Sequence, residues 1–240
     1  MAQGMIFLRS LAFNICFYLW TAIIAVCLCP LLLLPKPIPE GIARIWAKVT
    51  MWLLKCICGI THRVEGLENR SQTGVIYACK HQSAWETIAF WVIVGNPVFI
   101  LKRELVWIPF FGWFLLGTGS IAIDRGGKTK TMRQMTRRSK EVTETGRTII
   151  IFPEGTRAKI GQTLPYQPGI AALYNQLNIP VVPVALNSGT CWSRKAFVKK
   201  PGIITVKFLD PIAPGLHHRE FLKKLEEVIE TESNRLIAGK

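Results

Sequence analysis

The residues of this chain whose types and spacing suit chemistry are His81 with Glu86, and Glu154 with Arg157. On one regular helix a separation of five is about 140° of rotation, so His81 and Glu86 share no helix face. They meet only if His81 sits in the turn before a helix and Glu86 in its first turns. Placed so, Glu86 accepts the proton on one imidazole nitrogen and fixes the tautomer. The other nitrogen is then free to take a proton from a hydroxyl. The same string also reads as a capping box, with Ser83 as N-cap and Glu86 three residues on, a role that needs no catalysis. In Phe152-Pro153-Glu154-Gly155-Thr156-Arg157, the arginine suits a phosphate, because its planar fork donates two parallel hydrogen bonds. A structural ion pair between Arg157 and Glu154 is the alternative.

Each constellation needs an element to present it. Val75-Ile76-Tyr77-Ala78-Cys79 precedes His81, and Thr148-Ile149-Ile150-Ile151 precedes Phe152; both have the makeup of buried strands. Pro153 cannot donate to a sheet ladder, so the second strand stops there, and Gly155 lets the backbone turn sharply. In open α/β sheets, ligands bind beyond the carboxyl ends of strands. Beyond residue 64 strand-like and helix-like runs alternate, which predicts an α/β sheet. Strands are expected at 74–79, 97–101, 120–124, 148–152, 181–186 and 203–208. Helices are expected at 84–94, 107–116, 128–145, 168–177 and 217–237.

Several lookalikes fail on context. Gly117-Thr118-Gly119-Ser120-Ile121-Ala122 fits a dinucleotide fingerprint as a string, but a helix-like run precedes it and a strand-like run follows it. Gly127-Lys128-Thr129 lacks the earlier glycine of a phosphate loop, where Ala122 stands. There is no G-x-S-x-G nucleophile elbow. His217-His218 has no carboxylate or cysteine cluster beside it, so no metal site is expected.

The N-terminal part is of another kind. Residues 11–34 carry no charge. As a helix they reach about 36 Å against about 30 Å of bilayer hydrocarbon. A secretory signal peptide would have a shorter apolar core and a small-x-small cleavage site. Pro30 predicts a kink or a re-entrant segment. In residues 42–60, Arg44, Lys48 and Lys55 fall on one side of a helix whose remainder carries Ile45, Trp46, Val49 and Trp52, the pattern of an interfacial helix. An ordinary core-facing helix is the alternative. The division expected is therefore 1–62 for hydrophobic anchoring helices and 63–240 for the α/β domain.

The net charge of +15 suits an anionic membrane surface. No nucleic-acid-binding motif appears and the cations are not interleaved with aromatics, so nucleic acid is not expected as a partner. Lys36, Arg44 and Lys48 follow the apolar run while only Arg9 precedes it, which places the main domain on the cytoplasmic side. The seven cysteines form no C-x-x-C pair, which fits a reducing compartment.

Taken in order, His81 to Glu86, Lys102-Arg103-Glu104-Leu105, Asp124-Arg125, Phe152 to Arg157 and Val182-Pro183-Val184 resemble the 1-acyl-glycerol-3-phosphate acyltransferase family of glycerolipid acyltransferases, over roughly residues 64–210. Two positions depart from its pattern: Lys80 stands where the family usually has Asn, and Glu86 where it usually has Asp. The resemblance implies a mixed, largely parallel sheet flanked by helices, preceded by a helical pair that docks into the membrane. It implies acyl transfer from acyl-CoA or acyl-carrier protein to the sn-2 hydroxyl of 1-acyl-glycerol-3-phosphate, giving phosphatidic acid for phospholipid biosynthesis, at the cytoplasmic face of the inner membrane and without metal or redox cofactor. His81 and Glu86 are then the catalytic pair. Arg157, with Lys102 and Arg125, binds the acceptor phosphate, and Glu154, Gly155 and Thr156 position the acceptor or the loop. Two other readings are a different lysolipid acceptor, and a non-enzymatic basic protein that binds anionic lipid.

Overall fold

The computed structural model describes residues 3–28, 37–70, 74–108, 111–124 and 128–239. Its centre is a seven-stranded sheet in the order β1-β7-β6-β2-β5-β3-β4. The strands are β1 (Ile60–Glu65), β2 (Ile76–Cys79), β3 (Pro97–Lys102), β4 (Ile121–Ile123), β5 (Thr148–Ile151), β6 (Val181–Leu186) and β7 (Gly202–Phe208). Neighbours are parallel except β6 and β7, so the sheet is mixed and largely parallel, as expected.

Parallel strands are covered on both faces, which is why β2, β5 and β6 read as continuous apolar runs. Tyr77, Cys79, Ile150, Val182 and Val184 face one core, shared with α1 (Gln3–Leu28), α2 (Pro37–Leu53) and α3 (Trp85–Ile93) through Phe13, Ala43, Ala47, Trp85 and Phe90. Ile76, Ala78, Ile149, Ile151 and Val181 face the other. That second core is closed by α5 (Lys128–Glu144), α6 (Pro168–Leu177) and α7 (His218–Ile237) through Met135, Ile170, Tyr174 and Phe221. A short α4 (Phe111–Gly117) follows a 3-10 turn over Arg103–Trp107, where one longer helix was expected.

Strand β1 is absent from the sequence-based list. Its residues, Ile60-Thr61-His62-Arg63-Val64-Glu65, include three ionisable side chains and no apolar run. It is an edge strand paired only with β7, so half-buried polar residues are tolerated along it.

The N-terminal helices pack along the domain. In α2 and the π-helical turn after it, Ala43, Ala47, Thr50, Leu54 and Cys58 are buried, at helical spacing, while Arg44, Ile45, Lys48, Trp52 and Lys55 are exposed. Core contact and an exposed basic, aromatic face thus coexist on one helix. Helix α1 meets the loop of residues 192–199 through its first half and α2 through its second, with Ser10 and Phe13 buried. The Phe7 ring meets Phe197, the Ser10 hydroxyl accepts the Lys199 N–H at 2.9 Å, and the Trp46 indole donates to Thr21 at 3.1 Å. Its other face leaves Leu8, Leu11, Ile15, Tyr18, Leu19 and Val26 exposed. Helix α1 is the one described helix long and apolar enough to cross a membrane. Pro30, the expected kink, lies outside the described residues.

Candidate active site

The carboxyl ends of β6, β2, β5 and β3 lie side by side in the sheet, and the chemistry-bearing residues follow them. After β2 the chain turns through Lys80-His81-Gln82-Ser83 into α3. Three successive N–H groups of this turn end on buried carboxylates. His81 N–H donates to Glu154 Oε2 at 2.8 Å, and the N–H groups of Gln82 and Ser83 donate to Glu86 Oε1 at 3.0 Å each. The Ser188 hydroxyl, just past β6, donates to Glu86 Oε1 as well. Glu86 is fully buried, so all these bonds replace water the carboxylate has lost.

His81 and Glu86 are brought together as the five-residue spacing requires. Nδ1 of His81 stands 3.7 Å from Glu86 Oε2, longer than a hydrogen bond. The expected direct bond is therefore not made: the carboxylate is taken up by the turn and by Ser188, leaving a buried His81 Nδ1 without a hydrogen-bond partner among the described residues. The capping reading is also part of the truth, since Glu86 reaches back to the Ser83 N–H, while the Ser83 hydroxyl accepts from Trp85 N–H at 3.1 Å. The imidazole stacks on Phe152 with centroids 3.9 Å apart, and His81 C=O accepts the Ala158 N–H at 2.8 Å.

The loop after β5 turns where predicted. Gly155 has φ 67°, a left-handed conformation that glycine adopts without steric cost, and its N–H closes the turn on Phe152 C=O at 2.9 Å. Glu154 does not pair with Arg157. Its carboxylate meets Lys80 Nζ at 2.6 Å, and Lys80 also meets Glu230 of α7 at 2.6 Å. The Tyr166 hydroxyl donates to Glu230 at 3.1 Å. Burial pushes the Glu154 carboxyl up to about 7, against the pull of the Lys80 ammonium. Arg157 is half-buried and, among the described residues, makes no ion pair or side-chain hydrogen bond.

A largely apolar cavity of about 720 Å³ opens at this site, within the usual size range of small-molecule sites. Its walls come from α1 and α2 (Thr21, Ile24, Trp46), α3 (Trp91), β3 (Phe99, Leu101) and α4 (Phe114, Leu115). His81, Phe152, Gly155, Thr156 and Arg157 line it, as do Lys102, Arg194 and Lys195. Lys102 pairs with Glu104 at 2.8 Å. Arg125 lies outside the described residues. The basic helix α5 covers the sheet face opposite α1 and α2. Among the described residues no cluster of His, Cys, Asp and Glu is arranged to hold a metal ion.

A family model described as Acyltransferase matches residues 61–187, more than half of the chain. This chain belongs to the acyltransferase family. It is 37% identical over 172 residues to the 1-acyl-sn-glycerol-3-phosphate acyltransferase of Pseudomonas aeruginosa, covering 72% of this chain and 65% of that protein. The protein of the same name from Cocos nucifera is 33% identical over 205 residues, 83% of this chain and 65% of its own length. The chain thus spans about 65% of the length of these curated relatives. The fold is shared with the crystal structure of the 1-acyl-sn-glycerophosphate acyltransferase from Thermotoga maritima, at a TM-score of 0.76 and 22% identity over 95% of this chain and 97% of that one.

Within this member of the acyltransferase family, Ser188, Glu230, Arg194 and Lys195 escaped the sequence reading. Ser188 carried a usable signal, a small hydroxyl residue just past the Val182-Pro183-Val184 strand. Glu230 sits among the polar residues of an amphipathic helix, and nothing local marks it. Replacing Lys80 with Met leaves the buried Glu154 and the partly buried Glu230 without their cation, at an expected cost of about 3–5 kcal/mol. Urea denaturation of Lys80→Met, Glu230→Gln and the double variant checks this. The double variant is expected to recover part of the loss; wild-type stability in Lys80→Met would show that the cluster holds nothing together.

Proposed function

We propose that this chain transfers a fatty acyl group from an acyl thioester, on coenzyme A or acyl-carrier protein, to the sn-2 hydroxyl of 1-acyl-glycerol-3-phosphate, giving phosphatidic acid. The observation that carries the reading is one juxtaposition. A histidine backed by a buried carboxylate shares an apolar cavity with an arginine that has no partner among the described residues. The names of the curated relatives support the substrate class.

In this mechanism Nε2 of His81 takes the proton of the sn-2 hydroxyl as its oxygen attacks the thioester carbonyl. A tetrahedral adduct forms, the C–S bond breaks, and the imidazolium returns the proton to the departing thiolate. No acyl-enzyme is required. The charge on the imidazolium faces Glu86 at 3.7 Å, so the buried carboxylate stabilises the state in which the proton is held. Phe152, stacked on the ring, fixes its plane. Arg157 grips the acceptor phosphate, with Lys102 on the same cavity and Arg125 as a further candidate for that contact, and the Glu154–Thr156 segment sets the loop. The acyl chain occupies the cavity between α1, α3 and α4.

The exposed apolar face of α1 and the basic, Trp-bearing face of α2 would rest in the membrane interface, at the cytoplasmic face of the inner membrane. The opposite face of α1 meets the loop of residues 192–199 and α2, which favours a helix lying on the bilayer.

Three measurements test this reading. First, His81→Ala is expected to lower turnover by roughly two to four orders of magnitude, the usual worth of a positioned base. Glu86→Gln should also lose most activity. Near-normal turnover by His81→Ala in an assay with labelled acyl thioester and a panel of lysolipids would sink the mechanism, and the same panel names the acceptor.

Second, Arg157→Ala is expected to cost about 2–5 kcal/mol in acceptor recognition, or roughly 30- to several-thousand-fold in kcat/KM for lysophosphatidate. Arg157→Lys should recover only part, since an ammonium cannot form the two-pronged pair. An unchanged acceptor KM and kcat/KM would move the phosphate site elsewhere.

Third, placing serine at Leu8, Ile15 and Leu19 together should release the protein from anionic vesicles in a flotation assay, with the rest of the fold intact. Retention at high salt would place the anchor elsewhere.

A further inference from the structure

Arg194 and Lys195 line the catalytic cavity, yet they lie beyond the 61–187 segment that the family model matches. Both are exposed, and among the described residues neither makes an ion pair or a side-chain hydrogen bond. Their place follows from the sheet order. Strands β6 and β5 flank β2 on opposite sides. Arg157 follows β5, and Arg194 with Lys195 follows β6 and its 3-10 turn at Ser188–Thr190. The cavity therefore carries cations from both neighbours of the strand that presents His81.

The segment is tightly tied down. Ser193 Oγ donates to Gly189 C=O at 2.7 Å, and Ala196 N–H donates to Ser193 C=O at 3.1 Å. Lys200 N–H donates to Cys191 C=O at 2.8 Å, and Lys199 N–H donates to Ser10 of α1 at 2.9 Å. Lys195 itself has φ 57°, an uncommon conformation for a residue with a Cβ, which such surroundings hold in place. A cation pair presented by a fixed turn loses little freedom when it meets an anion.

Acyl transfer between a thioester and a lysophosphatidate brings two phosphate-bearing molecules to one cavity. The acceptor phosphate is only a few bonds from the reacting hydroxyl. It suits Arg157, whose loop stacks Phe152 on His81 and bonds the His81 carbonyl. The donor phosphate is separated from the thioester by the whole pantetheine arm, so it belongs at another cation group on the rim. We infer that Arg194 and Lys195 form the donor site, gripping the phosphate at the end of the phosphopantetheine arm that coenzyme A and acyl-carrier protein share. This inference rests on the reading of the cavity as an acyltransferase site.

The test is equilibrium binding, which needs no turnover. The full chain in detergent is titrated with coenzyme A, 4′-phosphopantetheine and pantetheine, and with holo- and apo-acyl-carrier protein. The variant is Arg194→Gln with Lys195→Asn, asparagine being tolerant of the left-handed backbone. The Kd of the phosphate-bearing ligands is expected to rise on the order of tenfold, the combined effect of two exposed charge contacts, and to depend less on salt. The Kd of pantetheine and of lysophosphatidate should stay where it is. A loss shared by holo-acyl-carrier protein identifies the arm's own phosphate as the ligand. A loss confined to coenzyme A would assign the pair to its nucleotide phosphates and overturn the inference. The inference is overturned if the phosphate preference persists in the variant, if lysophosphatidate binding weakens instead, or if only vesicle binding changes, which would make the pair a headgroup contact. Loss of acyl transfer in His81→Ala leaves all these outcomes readable, so the two readings fail separately.

Discussion

The constraint on which the rest of the site depends is the satisfaction of one turn. Between β2 and α3 the backbone leaves the sheet in a buried place, and its N–H groups have no ladder to join. Glu154 takes the N–H of His81, and Glu86 takes those of Gln82 and Ser83. Orphaned buried donors are costly, and a carboxylate accepting several of them is held strongly in return. Each carboxylate thus does two things at once. Glu86 fixes the turn and faces the imidazole, while Glu154 fixes the turn and ties the β5 loop to it. The Gln82 side chain extends the same wiring across the sheet, accepting the Gly189 N–H at 3.0 Å. Moving any one of β2, β5 or β6 at its carboxyl end would strand a donor in the turn.

A buried carboxylate needs its own compensation. For Glu154 that is Lys80, and Lys80 in turn needs Glu230. The result is a line of alternating charges from α7, through the turn, to the loop that carries Arg157. Such clusters are weak evidence of net stability, because desolvation offsets much of the attraction. Their stronger consequence here is positional. The backbone of His81 hangs from a carboxylate whose place is set by a cation, and that cation's place is set by a helix on the far face of the sheet. Lysine at position 80, where the resemblance leads one to expect asparagine, is what makes this connection to α7 available.

How much of this was legible follows from the range of each interaction. Strands β2, β5 and β6 were plain in the sequence because both faces are buried and, Thr148 apart, their residues are apolar or aromatic. Edge strand β1 was not, because only its register with β7 makes Ile60–Glu65 a strand. The His81–Glu86 approach was readable, since a five-residue spacing across a helix start is a local property. The 3.7 Å separation was not, because it depends on Ser188, which is 102 positions from Glu86 in the chain. The choice between Lys80 and Arg157 as partner of Glu154 was invisible for the same reason. Both cations are near in sequence or sheet, and only α7 decides between them. The left-handed Gly155 was foreseeable from Pro153 and Gly155 alone, while the left-handed Lys195 had no sequence signal at all.

The helical pair at the N-terminus looks separable in sequence because its composition differs from that of the domain. Packing contradicts the look. Phe13, Ala43, Ala47 and Leu54 share one continuous core with Trp85 and the β2 side chains, and Thr21, Ile24 and Trp46 form a wall of the cavity. If that wall also meets the bilayer, as proposed, it has a consequence for the proposed reaction. Transferring an apolar chain through water costs about 0.8 kcal/mol per methylene exposed. With α1 lying between lipid and cavity, an acyl chain leaving the bilayer exchanges one apolar surrounding for another, and only the polar ends of the substrates meet the cations at the rim. On that proposal the helix that attaches the protein also removes the largest cost of substrate entry, a physical reason for building such an anchor into the core rather than beside it.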